Sequence, residues 1–313
     1  MSVRYILTKL CRAFATLLFV VTFAFGVLRL AGDPIQMLLP SETPLDVVTA
    51  YRTRWGLDQS LSTQYLTYLS GLLHGDFGTS FREGRPAFGI VVERIPKTLE
   101  LGLAGLLVAL VIGIPAGCVA AINRGRLIDR AVMSLAVMGH SIPTFFLGIL
   151  LILVFGSWLR LLPSAGSAGW SNLIMPAITV GTWNGATVAR FTRSAMVDAL
   201  EKSYMRTAIA NGIPFWMRLR SHALPNAAIP IVTIVGLLTG QVLGGAVVVE
   251  TVFAWPGVGR LTVAAVAARE ISVVQTVVIL AASTVITANL LVDVAYGFLD
   301  PRIGGRSIGA RNG

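Results

Sequence analysis

Long apolar runs dominate the chain, and short polar or proline-rich segments separate them. A helix needs roughly 20 mostly apolar residues to cross the hydrocarbon core of a bilayer. Six runs meet this requirement, and they predict transmembrane helices at residues 13–30, 101–122, 131–158, 173–189, 226–249 and 272–291. The pattern therefore predicts an all-α polytopic membrane protein.

The first apolar run has a second interpretation, as a secretory signal peptide. Arg4, Lys9 and Arg12 precede it, and Ala24 with Gly26 resembles a small-residue cleavage site. The run is longer than the ~7–15 apolar residues of a typical signal peptide. We therefore favour an uncleaved first span, which mass spectrometry of the mature N-terminus would test.

Composition supports a membrane protein. Hydrophobic residues make up 55% of the 313 residues, charged residues only 13%, and the mean hydropathy is +0.76. Soluble domains typically contain about 25% charged residues, so the composition argues against a soluble globular enzyme. No Gly-Lys pair is present to build a phosphate-binding loop, and Cys11 and Cys118 have no metal-type spacing with each other or with a histidine. We expect no catalytic residue, metal or cofactor in this chain.

The net charge of +10 indicates orientation. In a soluble protein it would suggest nucleic acid as a partner, whereas in a membrane protein Lys and Arg mark the cytoplasmic loops. They concentrate in the segments 1–12, 123–130, 190–225 and 301–313. Both termini are therefore predicted to be cytoplasmic, and no nucleic acid partner is expected.

The interiors of the predicted spans contain no acid or base other than His140. Intramembrane charges usually mark ion paths or proton relays, so their absence argues against a secondary transporter or channel. His140 lies three residues before Pro143, whose missing N–H frees a carbonyl. We favour His140 as a residue that satisfies this kink over His140 as a ligand.

The predicted outer segments have two notable features. Residues 61–74 have helical apolar spacing, which predicts a surface helix whose Tyr65 and Tyr68 are interfacial anchors rather than a ligand site. In the loop 250–271, the sequence TVFAWPGVGRL contains Pro256, Gly257 and Gly259, which are expected to break a regular helix.

The cytoplasmic segment 190–225 is predicted to contain two helices. Residues 198–211 favour a first helix, and Gly212 can close it because glycine readily adopts the left-handed conformation. Pro214 suits the first turn of a second helix, which Phe215 and Trp216 give an apolar side. The glycine, the proline and the aromatic pair indicate an ordered helix pair rather than a solvated connecting loop.

This segment reads ARFTRSAMVDALEKSYMRTAIANGI from residue 189 and HALPNAAIPIVT from residue 222. It resembles the conserved cytoplasmic loop of binding-protein-dependent ABC importer permeases of the dipeptide, oligopeptide and nickel branch. Ala208, Gly212, Leu224 and Pro225 fall on positions of that motif. Further similarity covers nearly the whole chain, including GDPIQMLLP, VVVETVFAWPGVGRL and LDPRI.

The motif also departs from the family pattern. Arg206 and Thr207 replace the Glu and first Ala of the wider family, as is common in this branch. Ile209 and Asn211 stand where the branch often has basic residues, and Pro225 matches the wider family where the branch often has Arg. The general docking role is retained, whereas the individual contacts to an ATPase differ.

The resemblance implies the six-span type I importer permease fold in a bacterial inner membrane. Its parts would be a cytoplasmic N-terminus (1–12), span one (13–30), a large periplasmic segment (31–97), a permease core (98–300) with a coupling loop (190–225), and a cytoplasmic tail (301–313). This chain would be the first permease of a heterodimeric pair, with no catalytic activity of its own.

The implied partners are a second permease subunit, two ATPase subunits that bind ATP and Mg, and a periplasmic or lipid-anchored solute-binding protein. Small peptides are the expected substrates, with nickel chelates, glutathione or oligosaccharides as alternatives. A membrane-anchored sensor or scaffold is disfavoured, because no catalytic or signalling domain of adequate length lies outside the spans.

Three groups of residues are implicated in transport. The resemblance implies that the ATPase-coupling residues are Tyr204, Arg206, Thr207, Ala208, Ala210, Asn211, Gly212, Leu224 and Pro225. The outer-loop residues, which form either a lip toward the binding protein or, as we favour, a structural turn, are Glu250, Phe253, Trp255, Pro256, Gly257 and Gly259. A weakly polar pathway is expected at Thr239, Gln241, Ser283, Thr284 and Asn289.

Overall fold

The computed structural model describes residues 3–30, 42–240 and 246–299, and these residues are almost entirely helical. The α-helices are α1 (Val3–Leu30), α2 (Leu45–Arg54), α3 (Leu61–Leu73), α4 (Ala87–Val92), α5 (Ile95–Ile122), α6 (Leu127–Ser141), α7 (Thr144–Leu151), α8 (Ser171–Glu201), α9 (Ser203–Ala210), α10 (Phe215–Arg218), α11 (Leu224–Gly240), α12 (Val247–Val252), α13 (Val258–Ala267) and α14 (Ile271–Leu299). The π-helical turns Ile152–Trp158 and Leu219–Ala223 continue α7 and α10. Within the described ranges the only β-type pairing is an isolated bridge between Thr79 and Pro86, so the all-α prediction is confirmed.

Several helices have the length and composition of membrane spans. In the described part of the chain, three stretches are long and apolar enough, Leu7–Val27, Ala87–Ile122 and Phe215–Thr239, and a bent helix pair raises the number to four. The count of six spans therefore stays a prediction. Of the predicted span 226–249, residues 241–245 lie outside the described ranges.

The predicted third span, 131–158, is not a single helix. Leu127–Ser141 and Thr144–Trp158 meet at 95°, because Pro143 lacks an N–H and disfavours helical backbone in the residue before it. The hydroxyl of Ser141 donates to the Val137 carbonyl at 2.9 Å. His140 was expected to bond to the carbonyl freed at this kink. Its buried Nδ1 has no hydrogen-bond partner among the described residues, so this role is not observed there. The His140 ring instead stacks on Trp183.

The chain divides into two compact units, one formed by residues 1–93 with 261–313 and the other by 94–260. In the first unit, α1 and α4 pack against α14. The buried carboxylate of Glu270 accepts hydrogen bonds from the backbone N–H groups of Phe81 and Arg82, at 3.0 and 2.6 Å. These bonds fix the predicted outer segment to the start of α14, a pairing that chain order did not indicate.

The second unit is built around the closely packed pair α5 and α8. A Cβ atom on Gly113 would lie 2.7 Å from the Gly185 carbonyl, and one on Gly117 would lie 2.5 Å from the Ala189 carbonyl. Small residues allow helices to approach this closely, as is typical of helix pairs in membranes. The glycines of α5 therefore allow the close α5–α8 contact around which this unit is built.

Candidate functional site

The predicted coupling loop 190–225 contains a break that the sequence did not indicate, and we call the part after this break, residues 203–225, the coupling segment. Helix α8 runs without interruption to Glu201, and Lys202 then adopts an extended backbone with ψ of 154° before α9 starts. The prediction of one helix over residues 198–211 is therefore wrong. The break reorients the chain so that Met205 enters the same core as Ala195 and Ala199 of α8.

Gly212 ends α9 as predicted. Its φ is +70°, a conformation that residues with a Cβ rarely adopt. The N–H of Gly212 donates to the Ile209 carbonyl at 3.0 Å, and the N–H of Ile213 donates to the Ala208 carbonyl at 3.1 Å. This pair of bonds is the Schellman motif. Pro214 follows and directly precedes α10.

The coupling segment has one face packed into the protein. Met205 and Ala208 are buried, and Tyr204 and Leu224 are partly buried. Met205 shares a core with the ends of α5 and α8 and with the start of α11. Leu219 and Ala223 of the preceding π-helical turn belong to the same core. A force on α9 therefore acts directly on three long helices.

The opposite face is exposed and combines apolar with basic side chains. We call it the docking surface, and it consists of Arg206, Ile209, Phe215, Trp216, Met217 and Arg220. Trp216 is 72% exposed, which is unusual for so large an apolar residue. The other predicted coupling residues are also exposed, namely Thr207, Ala210, Asn211, Gly212 and Pro225.

Two ion pairs lie directly before this segment. The Nε and terminal guanidinium nitrogen of Arg193 in α8 donate to the two carboxylate oxygens of Asp129 in α6, at 2.6 and 2.7 Å. The backbone N–H of Gly125 also donates to Asp129, at 2.9 Å. Arg124 and Glu201 form a second, more exposed pair. This bracing role is not evident from the sequence, because residues 64 positions apart share no local pattern.

The outer loop is organised by a buried carboxylate. Glu250 is 0% exposed, and its oxygens accept hydrogen bonds from the Thr98 hydroxyl at 2.7 Å and from the Arg260 backbone N–H at 2.9 Å. The Thr98 hydroxyl in turn accepts from the Val258 N–H at 2.8 Å. Burial raises the pKa of Glu250 above its usual range, although the hydrogen bonds oppose the shift.

The aromatic residues of this loop are buried rather than exposed. Phe253 and Trp255 belong to an apolar core with Leu101 and Met175, and the Trp255 indole N–H donates to the Lys97 carbonyl at 2.8 Å. This burial favours the structural turn over a lip for a partner protein.

The glycines of the loop are required by close contact. A Cβ on Gly257 would collide with the Glu250 carboxylate, and one on Gly259 would lie 2.6 Å from the Val247 Cα. Pro256 lies between the two helices, as expected. The prediction that Gly259 breaks a helix is wrong, because Gly259 lies in the first turn of α13.

The predicted pathway residues are only partly described. The hydroxyls of Thr239 and Thr284 donate to carbonyls of their own helices, those of Val235 and Leu280. Ser283 is partly buried. Gln241 and the side chain of Asn289 lie outside the described residues.

The described residues form apolar helices of membrane-spanning length and an exposed segment that is predicted to couple to an ATPase. These are features of a membrane transport subunit. Residues 113–305 match the family described as "binding-protein-dependent transport system inner membrane component", and residues 2–102 match its N-terminal counterpart. The chain belongs to this family of ABC importer permeases.

Curated relatives extend over nearly the full chain. The glutathione transport system permease proteins GsiC of Escherichia coli (strain K12) and of Salmonella typhimurium are each 41% identical over 300 residues, covering 96% of this chain and 98% of the relative. The chain is therefore a multi-pass membrane permease of an ABC importer.

Solved structures show the same fold. An inward-facing methionine ABC transporter MetNI chain matches with a TM-score of 0.57 at 18% identity, over 67% of this chain and 96% of its own. An amino acid ABC transporter crystallised with histidines matches with a TM-score of 0.53 at 14% identity, over 66% and 92%. The type I permease fold is thus confirmed.

Proposed function

We propose that this permease translocates short peptides that a solute-binding protein delivers to its outer side. The 41% identity to glutathione permeases over 96% of the chain carries this proposal, because glutathione is a tripeptide. The pathway would recognise side chains weakly, since charged residues are absent from the interiors of the predicted spans.

The proposed assembly contains a second permease and two ATPase subunits, which bind ATP and Mg. The docking surface would sit on an ATPase, and its exposed Trp216 with flanking arginines suits a protein contact. Tyr204, Arg206, Thr207 and Ala208 would lie at or beside this contact, and Gly212 would set the angle between α9 and α10.

Closure of the ATPase pair would then pull the coupling segment. Because Met205 and Leu219 share a core with α5, α8 and α11, the displacement would move these helices as packed bodies. The Asp129–Arg193 pair would keep α6 in register with α8 during this movement.

The proposed topology places residues 1–12, 190–225 and 301–313 in the cytoplasm and 31–97 in the periplasm of a bacterium. Single cysteines at Trp216 and Arg85, in a chain whose Cys11 and Cys118 are replaced, test this arrangement. In right-side-out vesicles, a membrane-impermeant maleimide should label position 85 and not position 216. Labelling at position 216 alone would refute the topology.

Transport by the complete assembly tests the substrate class. Proteoliposomes with both permeases, both ATPases and the binding protein should accumulate radiolabelled glutathione or trialanine when ATP is supplied. Uptake of a nickel chelate or an oligosaccharide, with no uptake of either peptide, would contradict the peptide assignment and favour the corresponding alternative.

A further inference from the structure

The short link between α5 and α6 has an exposed surface that combines basic with apolar side chains. Helix α5 ends at Ile122 and α6 begins at Leu127, so four residues join two helices of the second unit. Gly125 has φ of +78°, which allows this tight turn. Both helices belong to stretches with the composition of membrane spans, so the link lies where the chain leaves the bilayer.

Two exposed arginines stand one helical turn apart at the start of α6. Arg126 directly precedes the helix, and the Arg130 N–H donates to the Arg126 carbonyl at 3.2 Å. Both side chains are exposed. Like charges at this spacing repel each other, and an anion bound to both would relieve the repulsion.

The single acidic residue of the link is engaged elsewhere. Asp129 is buried, and its carboxylate accepts hydrogen bonds from the Arg193 guanidinium at 2.6 and 2.7 Å. Arg124 is paired with Glu201. Within the described ranges, the ion pairs include neither of the two exposed arginines. Their guanidinium groups are therefore available to an anion from outside the chain.

An exposed apolar stripe on α6 begins beside these arginines. Its members have the spacing of one helix face, and they are Leu127, Ala131, Leu135 and Met138. Leu127 is 80% exposed, Leu135 67% and Met138 59%. The stripe is about 16 Å long, roughly half the thickness of the hydrocarbon core. A molecule that covers the whole surface therefore needs an anionic group at one end and a long apolar part.

We propose that Arg126 and Arg130 bind the phosphate of an anionic phospholipid whose acyl chain packs along the apolar stripe. Guanidinium groups suit phosphate because they donate two parallel hydrogen bonds, and basic side chains beside a membrane helix attract anionic headgroups. A free phosphate would leave the stripe uncovered, and a soluble ATPase would not reach its inner end. The site concerns the contact of the permease with its membrane and is independent of the transported substrate.

Photocrosslinking with labelled lipids tests this site in the assembled transporter in nanodiscs. Phosphatidylglycerol with a diazirine in its acyl chain should label residues 127–138 at least tenfold more than phosphatidylcholine with the same diazirine. Arg126→Gln and Arg130→Gln should each lower the phosphatidylglycerol yield about fivefold, and the double variant should abolish the preference. The combined variant Arg82→Gln and Arg160→Gln removes two exposed arginines of the predicted outer side and should leave the yield unchanged.

Thermal unfolding separates lipid binding from a structural role. The Arg126→Gln and Arg130→Gln double variant should unfold at the wild-type temperature in phosphatidylcholine, whereas phosphatidylglycerol should raise the melting temperature of the wild type alone. Equal labelling of the wild type by the two lipids would overturn the proposal, as would an unchanged yield in the double variant. Competition by inorganic phosphate at the concentration of the lipid would assign the arginines to a free anion. A photoreactive amino acid at Leu127 that crosslinks to the ATPase or to the second permease in place of lipid would assign the surface to that subunit and refute the lipid site.

Discussion

Thr98 and Glu250 are joined by a 2.7 Å hydrogen bond between side chains 152 positions apart in the chain. Thr98 lies in the first turns of α5, and Glu250 lies in α12. The same carboxylate binds the Arg260 N–H, so one buried group connects two segments of the loop to the start of a long helix. This arrangement makes the outer loop a rigid part of its unit.

Removing the Thr98 hydroxyl should destabilise the protein. Thr98→Val removes the partner of the buried Glu250 Oε1 and of the Val258 N–H, which should lower the free energy of unfolding by about 1–3 kcal/mol. Thr98→Ser keeps the hydroxyl and is the matched control. Denaturation in detergent measures both, and equal stability of the two variants would show that the hydrogen bond contributes nothing.

Glu250 should give the protein a distinctive pH dependence. Its pKa is raised in the folded protein, so its contribution to stability is fully present below the unfolded pKa and is lost as the pH rises through the folded value. Glu250→Gln lacks this titration. The melting temperature of the wild type relative to Glu250→Gln should therefore fall as the pH rises above the ordinary pKa of a glutamate, about 4.3, and a difference that grows with pH would contradict the expected sign.

Gly212 should tolerate asparagine but not valine. Its φ of +70° disfavours β-branched residues, although nothing described would lie within 4 Å of a Cβ at this position, so the penalty is conformational rather than steric crowding. Gly212→Val should reduce ATP-driven uptake several-fold with normal membrane insertion, and Gly212→Asn should retain most activity. Normal uptake by the valine variant would refute the hinge.

The Asp129–Arg193 pair should contribute more to stability than its neighbour. Asp129 is buried, and breaking a buried pair costs about 3 kcal/mol, whereas an exposed pair contributes about 1 kcal/mol or less. Asp129→Asn should therefore destabilise the permease more than Arg124→Gln, which removes the exposed pair with Glu201. Thermal unfolding of the two variants measures the difference, and a larger loss for Arg124→Gln would contradict this ranking.

Trp216 should be required for assembly with the ATPase. Trp216→Ala removes the largest exposed apolar group of the docking surface, and we expect copurification of the ATPase to fall at least tenfold. Trp170 is 79% exposed on the predicted outer side, so Trp170→Ala is the control and should copurify the ATPase normally. Equal yields from both variants would exclude Trp216 from the contact.

Local features of this fold could be predicted from the sequence. The apolar spacing of residues 61–74 predicts a helix, and the structure has one at Leu61–Leu73. The left-handed conformation of Gly212 is also predictable, because it depends only on how the end of a single helix is capped. The burial of Trp255 and the ion pair of Asp129 with Arg193 depend on contacts between distant segments, which no local pattern encodes. The break at Lys202 involves neither glycine nor proline, so only the packing of Met205 reveals it.

Site-specific photocrosslinking from position 216 in the assembled transporter tests the coupling role most directly. A benzophenone amino acid at Trp216 should crosslink to the ATPase subunit, with a yield that changes when ATP is bound, and the same probe at Trp170 should not reach it. A probe at position 216 that crosslinks only to lipid or to the solute-binding protein would contradict the assignment of this segment as the coupling element.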